Sequence, residues 1–307
     1  MKIAAMAAGA VGGYFGARLA ADGHDVHFIA RGANREAIEK NGLRIESVHG
    51  DLHLPKVNVT DDPKKVGPVD VVLFAVKLWD TEKAAELTKP MVGPNTRVIT
   101  VQNGVDAVER LAPILGADKV AGGVAYIATV IEAPGVIKQT SQFCALRFGR
   151  TDRKPDAVLE AFAAAGKKAK CDLDVSKDIQ AERWEKFIFL TAMAGTTASH
   201  RSSVGPVVAK PEGLAFFRAL MEEARAVGKA SGTEISADYI EQRMKFLAGQ
   251  VNPNMKASMA HDLERGNRLE LDWLNGKVAA LGDKYGIDTP VSDEVVAKLD
   301  RYKMGTH

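Results

Sequence analysis

The chain has 307 residues, 46% of them hydrophobic and 26% charged, with a formal net charge of +2. That length exceeds what one hydrophobic core usually fills, so two domains are expected, and the composition is that of a globular protein rather than a disordered or fibrous one. A charge so near neutrality leaves no footprint for nucleic acid or a membrane surface, and charges interrupt every apolar run before it reaches a membrane span. The two cysteines, Cys144 and Cys171, form neither a disulfide framework nor a metal-ligand spacing, so they read as reduced, structurally silent thiols with no metal site. A cytoplasmic protein is the simplest reading.

In chain order, residues 2–8 form a short apolar run, followed by Gly9-Ala10-Val11-Gly12-Gly13 and a helical pattern to about Asp22. The apolar start continues as strand, turn and helix, unlike a signal peptide. A second strand, Asp25–Ile29, ends at Ala30-Arg31-Gly32. Strand, glycine turn, helix and strand within about thirty residues make one βαβ unit. Apolar runs at 69–76, 97–102 and 120–127 continue the alternation, which predicts a mostly parallel sheet with helices on its faces. Glycine, proline and β-formers over 129–149 predict a hairpin finishing this domain; a helix over 155–166 and a strand over 170–175 follow. Beyond Asp178 the strand signals stop. Helical patterns at 179–198, 211–231, 236–249 and 257–285 predict an all-α second domain. The expected fold is therefore an α/β Rossmann-type domain over residues 1–176 and a helical domain from 177 to 307.

The first turn reads Ala7-Ala8-Gly9-Ala10-Val11-Gly12 against the dinucleotide fingerprint G-x-G-x-x-G, with alanine in place of the first glycine. Gly9 lets the backbone approach a pyrophosphate, Gly12 lets helix pack on strand, and the helix N-terminus offers N–H groups to the phosphates. At the end of the second strand, where an acidic residue would hold an unphosphorylated ribose, stands Arg31, with Arg35 nearby. A guanidinium there matches a 2′-phosphate, so NADP(H) is the expected cofactor.

With those residues placed, the chain resembles the ketopantoate reductase (2-dehydropantoate 2-reductase) family along nearly its whole length. The similarity rests on K-I-A-A-M-A-A-G-A-V-G-G-Y-F-G at the start, F-I-A-R-G, F-A-V-K ending at Lys77, and V-Q-N-G containing Asn103. It continues through E-R-W-E-K at 182–186 and K-A-S-M-A-H-D-L-E-R-G-N-R-L-E-L-D-W-L-N-G at 256–276. The resemblance implies NADPH-dependent reduction of a 2-keto acid to a 2-hydroxy acid, as ketopantoate to pantoate in pantothenate biosynthesis. It implies Lys186 as proton donor, Glu270 beside cofactor and substrate, and Ser258 on the substrate carboxylate. Gly9, Ala10, Val11, Gly12 and Arg31 would hold the cofactor's phosphates and ribose, with Lys77, Asn103 and Ala128 lining its nicotinamide end; Asn103 and Lys186 would also touch substrate. The resemblance implies a small-molecule 2-keto acid as partner and is compatible with a homodimer.

The chemistry is independent of the likeness. Hydride attack on a ketone leaves negative charge on oxygen, and a proton donor within hydrogen-bond reach lowers the barrier. The family places asparagines four and eight residues after its catalytic lysine and three before its serine. Here those positions are Leu190, Ala194 and Met255. Leu190 and Ala194 are therefore expected to present apolar surface on the lysine's helix face, favouring a less polar 2-keto acid or ketone as an alternative substrate. A non-catalytic NADP-binding regulator is the remaining alternative.

Overall fold

The computed structural model describes residues 1–306. It divides into two compact units: residues 1–102 with 106–179, and residues 103–105 with the chain from Gln180 onward.

The first unit carries β1 (Lys2–Met6), α1 (Ala10–Ala21), β2 (Asp25–Ile29), α2 (Gly32–Asn41), β3 (Leu43–Glu46), β4 (Leu52–Leu54), β5 (Asn58–Thr60) and β6 (Val69–Phe74). After them come α3 (Thr81–Thr88), β7 (Val92–Thr100), α4 (Ala107–Leu115), β8 (Val120–Tyr126), β9 (Thr129–Ala133), β10 (Val136–Gln139), β11 (Ala145–Gly149), α5 (Ala157–Lys168) and β12 (Asp172–Val175). Among the described residues these strands make an eight-stranded sheet, ordered β12-β11-β8-β7-β6-β1-β2-β5, and a four-stranded sheet, β4-β3-β10-β9. In the larger sheet only the β8–β11 pair is antiparallel.

The central strands read as continuous apolar runs because both faces are covered, as parallel sheets require. Ile3, Ala4 and Ala5 of β1 and Val71, Val72 and Phe74 of β6 are all inaccessible to solvent. The pair of strands expected over 129–149 is divided between the sheets. β9 and β10 form the hairpin in the smaller sheet, while β11 leaves it and pairs with β8 and β12 in the larger one.

The second unit is helical: α6 (Ile179–Ser199), α7 (Val204–Val208), α8 (Pro211–Ala230), α9 (Tyr239–Gln250), α10 (Ser258–Glu264), α11 (Asn275–Tyr285) and α12 (Pro290–Leu299). Its core gathers Trp184 and Phe187 of α6 with Phe217 and Leu220 of α8. The continuous pattern expected over 257–285 is broken. Gly266 takes a left-handed φ of 68°, which only glycine adopts cheaply, and a single 3-10 turn, Leu271–Trp273, precedes α11. The buried Glu223 of α8 caps α12 from a distance, accepting the N–H groups of Val291 and Ser292 at 2.7 and 2.8 Å. A carboxylate there satisfies orphan donors and complements the helix dipole. Among the described residues no helix is long and apolar enough to cross a membrane.

Candidate active site

The glycine turn sits between β1 and α1, with Gly9 capping the helix. A Cβ on Gly12 would lie 2.4 Å from the carbonyl oxygen of Ala7, so a side chain there would break the packing of helix on strand. A Cβ on Gly9 would meet nothing within 4 Å. The helix N-terminus, with Ala10 and Val11 in its first turn, thus faces open space that a diphosphate could fill. Ala7 is not among the residues with positive φ, so alanine serves where the fingerprint has its first glycine. Asn34 braces the turn: its Nδ2 donates to the Ala8 carbonyl at 3.0 Å, and its Oδ1 accepts the Gly135 N–H at 2.9 Å.

Beside the turn lies a pocket in the same unit. Ile29, Val76 and Leu87 give it an apolar wall, and Arg31, Lys83, Asp61 and Asp80 are its charged members. Arg31, the N-cap residue of α2, is 71% exposed and its guanidinium lies 3.9 Å from the Asp80 carboxylate. Arg35 pairs with Asp61 of the pocket wall at 2.7 Å. Lys83 is a second cation here beside Arg31 that the sequence reading did not single out; its place on α3 gave no local signal.

Lys77 follows β6, its ammonium 5.5 Å from the centre of the Trp79 ring. The Gln102 carboxamide fixes this loop, donating to the Val76 carbonyl at 3.0 Å and to the Thr81 hydroxyl at 2.9 Å. Ala128 lies between β8 and β9. Its N–H donates to Ser141 Oγ at 3.0 Å and its carbonyl accepts the Thr140 N–H at 2.8 Å, so its backbone is used within the fold.

In the second unit, Lys186 of α6 donates from Nζ to Asn103 Oδ1 at 3.1 Å. One turn earlier, the buried Arg183 donates to the Val105 carbonyl at 2.7 Å. Two residues spaced i and i+3 on one helix face therefore hold the 103–105 segment, and Arg183 is a positioning residue absent from the sequence reading. Glu270, only 6% exposed, stands immediately before the Leu271–Trp273 turn, its carbonyl accepting the N–H of Trp273 at 3.1 Å. Burial pushes the Lys186 ammonium down from 10.5 to about 8, against the opposing pull of the Glu270 carboxylate. Lys186, Asn103 and Glu270 thus form one electrostatic group.

Four and eight residues beyond Lys186, Leu190 is half-buried against the helical core, while Ala194 is 0% exposed within it. Ala194 accordingly presents no surface, correcting the expectation from helical spacing; only Leu190 remains on the face available to a ligand. Met255 is half-buried against the same core. Ser258, exposed, is the first residue of α10. The start of that helix is tied to α6, since the Ala257 N–H donates to the Thr197 hydroxyl at 3.3 Å. Thr197 lies eleven positions beyond Lys186, close to three helical turns and so on the same face.

The chain is similar to known proteins over nearly its whole length. A family model described as ketopantoate reductase PanE/ApbA matches residues 3–153, and its C-terminal counterpart matches 178–303. A 2-dehydropantoate 2-reductase of Mesorhizobium japonicum is 32% identical over 98% of this chain and 97% of its own length. The crystal structure of a PanE/ApbA family ketopantoate reductase from Ralstonia eutropha JMP134 superimposes with a TM-score of 0.89 at 34% identity, covering 99% of this chain and 98% of that one. A 2-dehydropantoate 2-reductase from Geobacter metallireducens gives 0.90 at 31% identity, covering 98% and 99%.

Proposed function

Because the chain belongs to the ketopantoate reductase family, we propose that it is an oxidoreductase reducing a 2-keto acid to a 2-hydroxy acid, with NADPH as hydride donor and Lys186 as proton donor. The observation that carries the reading is the group of Lys186, Asn103 and Glu270. A lysine held near pKa 8 by burial is largely protonated at neutral pH, yet gives up its proton far more readily than an exposed one. Asn103 Oδ1, accepting from Nζ, fixes the direction of the ammonium. Its remaining protons are left to meet a carbonyl oxygen, and Glu270 retains positive charge on the amine.

Bound NADPH would supply the hydride. Gly9 and the first turn of α1 would hold its diphosphate, and Arg31 and Lys83 its 2′-phosphate. Ser258, exposed at the start of α10, would bind the substrate carboxylate through its hydroxyl.

The substrate reading departs from ketopantoate in one respect. Leu190 offers a hydrocarbon side chain where the family offers an amide, so a 2-keto acid lacking the terminal hydroxyl leaves no buried amide unpaired. We therefore assign a broadened 2-keto acid range, with kcat/KM for ketopantoate exceeding that for a deoxy analogue of similar size by less than about 100-fold. Initial rates of NADPH consumption across a panel of 2-keto acids, ketopantoate included, test both parts. No turnover with any member overturns the reductase assignment; a preference of about 10⁴ for ketopantoate overturns the broadened range.

A further inference from the structure

The two cysteines lie 27 positions apart in sequence, but their sulfurs are neighbours. Cys144 directly precedes β11 and Cys171 directly precedes β12, and these strands pair in parallel with Ala145 opposite Asp172. The Asp172 N–H donates to the Cys144 carbonyl at 3.2 Å, carrying the ladder one step further and setting the two cysteines side by side. Adjacent strands run about 4.8 Å apart, inside the roughly 4.4–6.8 Å Cα separation that a disulfide spans. The sulfurs are 3.9 Å apart, so side-chain rotation suffices to join them.

The surroundings separate the two thiols chemically. Cys144 is partly exposed, whereas Cys171 is buried. Burial alone would disfavour a thiolate at either position, yet Cys144 is lowered to about 6. The hydrogen bond from Cys171 contributes most, and the neighbouring Arg18 guanidinium adds to it. Cys171 moves the opposite way, raised by its hydrogen bond to Cys144 and by burial. Arg18 is itself buried, its guanidinium carbon 5.3 Å from the Tyr14 ring centre and its Nη2 donating to the Gly50 carbonyl at 2.6 Å. One cysteine is thus a partly exposed nucleophile near the Arg18 guanidinium, and the other a shielded protonated thiol within reach of it.

We propose that Cys144 and Cys171 form a hydroperoxide-reactive dithiol that closes to an intramolecular disulfide. The Cys144 thiolate attacks the nearer peroxide oxygen, the O–O bond breaks, and the departing alkoxide or hydroxide takes up a proton, leaving Cys144 as a sulfenic acid. The Cys171 sulfur then attacks Sγ of Cys144 and the S–O bond breaks. The Cys171 proton leaves with the hydroxide as water. Two thiols lose two electrons to one peroxide, giving one disulfide, one alcohol or water, and one further water.

The test is a thiol count on the folded full-length chain after a few equivalents of hydrogen peroxide, with alkylation on denaturing. The expected result is a fall from two free thiols to none, reversed by dithiothreitol. The mass should drop by two hydrogens, and tryptic peptides 139–147 and 171–177 should be cross-linked. In Cys171→Ala the reaction should stop at the sulfenic acid, leaving Cys144 open to dimedone, and the pH midpoint for Cys144 alkylation should rise from near 6. Two free thiols surviving in the oxidised wild type would overturn the proposal. So would disulfide-linked dimers, or a wild-type Cys144 that persists as a dimedone adduct; none of these readouts depends on the variant's folding.

Discussion

A proton donor that titrates near 8 leaves a signature in the rate that an ordinary lysine cannot. With Lys186 lowered to about 8 by burial, the ammonium fraction is about 0.9 at pH 7 and about 0.1 at pH 9, whereas a lysine at 10.4 stays above about 0.95 at both. Reduction needs the protonated form, so kcat/KM for the keto acid should fall about tenfold between pH 7 and pH 9, because that parameter reports the cofactor-bound enzyme before the keto acid binds. Oxidation of the hydroxy acid runs through the same transition state and needs the neutral amine, so its kcat/KM should rise over the same interval. Glu270 opposes the effect of burial; Glu270→Gln removes that opposition and should move the limb in both directions to lower pH. The assay is initial rate against pH at subsaturating substrate, with saturating cofactor and constant ionic strength. A forward profile flat to pH 9.5, or a Glu270→Gln limb displaced to higher pH, would refute the reasoning.

Lys186→Ala should lower kcat by about 10²–10⁴ while cofactor binding, read by fluorescence titration, survives; near-normal turnover would place the acid elsewhere. Arg31→Ala should weaken NADPH binding by about 1.5 kcal/mol, the low end for a charged hydrogen bond, because Arg31 is largely exposed, and should hardly change NADH binding. Asp80→Asn, which removes the carboxylate 3.9 Å from Arg31, should tighten NADPH binding and leave NADH unchanged; equal shifts for both cofactors would exclude a 2′-phosphate at this corner. Ala194→Asn should cost about 2–4 kcal/mol in denaturant unfolding, since it overpacks the core and buries an amide. Leu190→Asn should cost less and raise the preference for ketopantoate over its deoxy analogue.

The architecture was legible wherever burial dictated composition. β1, β6 and β8 lie in the middle of a covered sheet, where both faces call for apolar residues, and only Asp70 near the start of β6 interrupts that run. β4 and β5, three residues each, carry Leu-His-Leu and Asn-Val-Thr, too short and too exposed to show a period. The destination of β11 was invisible for another reason: Ala145–Gly149 is an ordinary strand, and which sheet it joins depends on pairings with β8 and β12 far away in the chain. The break near Gly266 was hidden because apolar residues on either side, Leu263 and Leu269 among them, sustain a helical period across it.

The site divides along the same line between what spacing determines and what depth determines. The turn from Gly9 to Gly12 could be read because its geometry is local: one strand, one turn and one helix contain all of it. Lys186 could be identified through a resemblance, but its chemistry rests on Asn103 and Glu270, 83 positions before it and 84 after it, which no periodicity connects. Leu190 and Ala194 make the distinction sharpest. Spacing of four puts both on the face of Lys186, yet one keeps some exposure and the other has none, because Gly195 alongside packs against Asn275 so closely that an added Cβ would sit 2.9 Å from its Nδ2. The helix is pinned to α11 at that level. On the proposed reading, substrate selectivity on this face rests with the half-buried Leu190, and a larger residue at 194 would first be felt as lost stability.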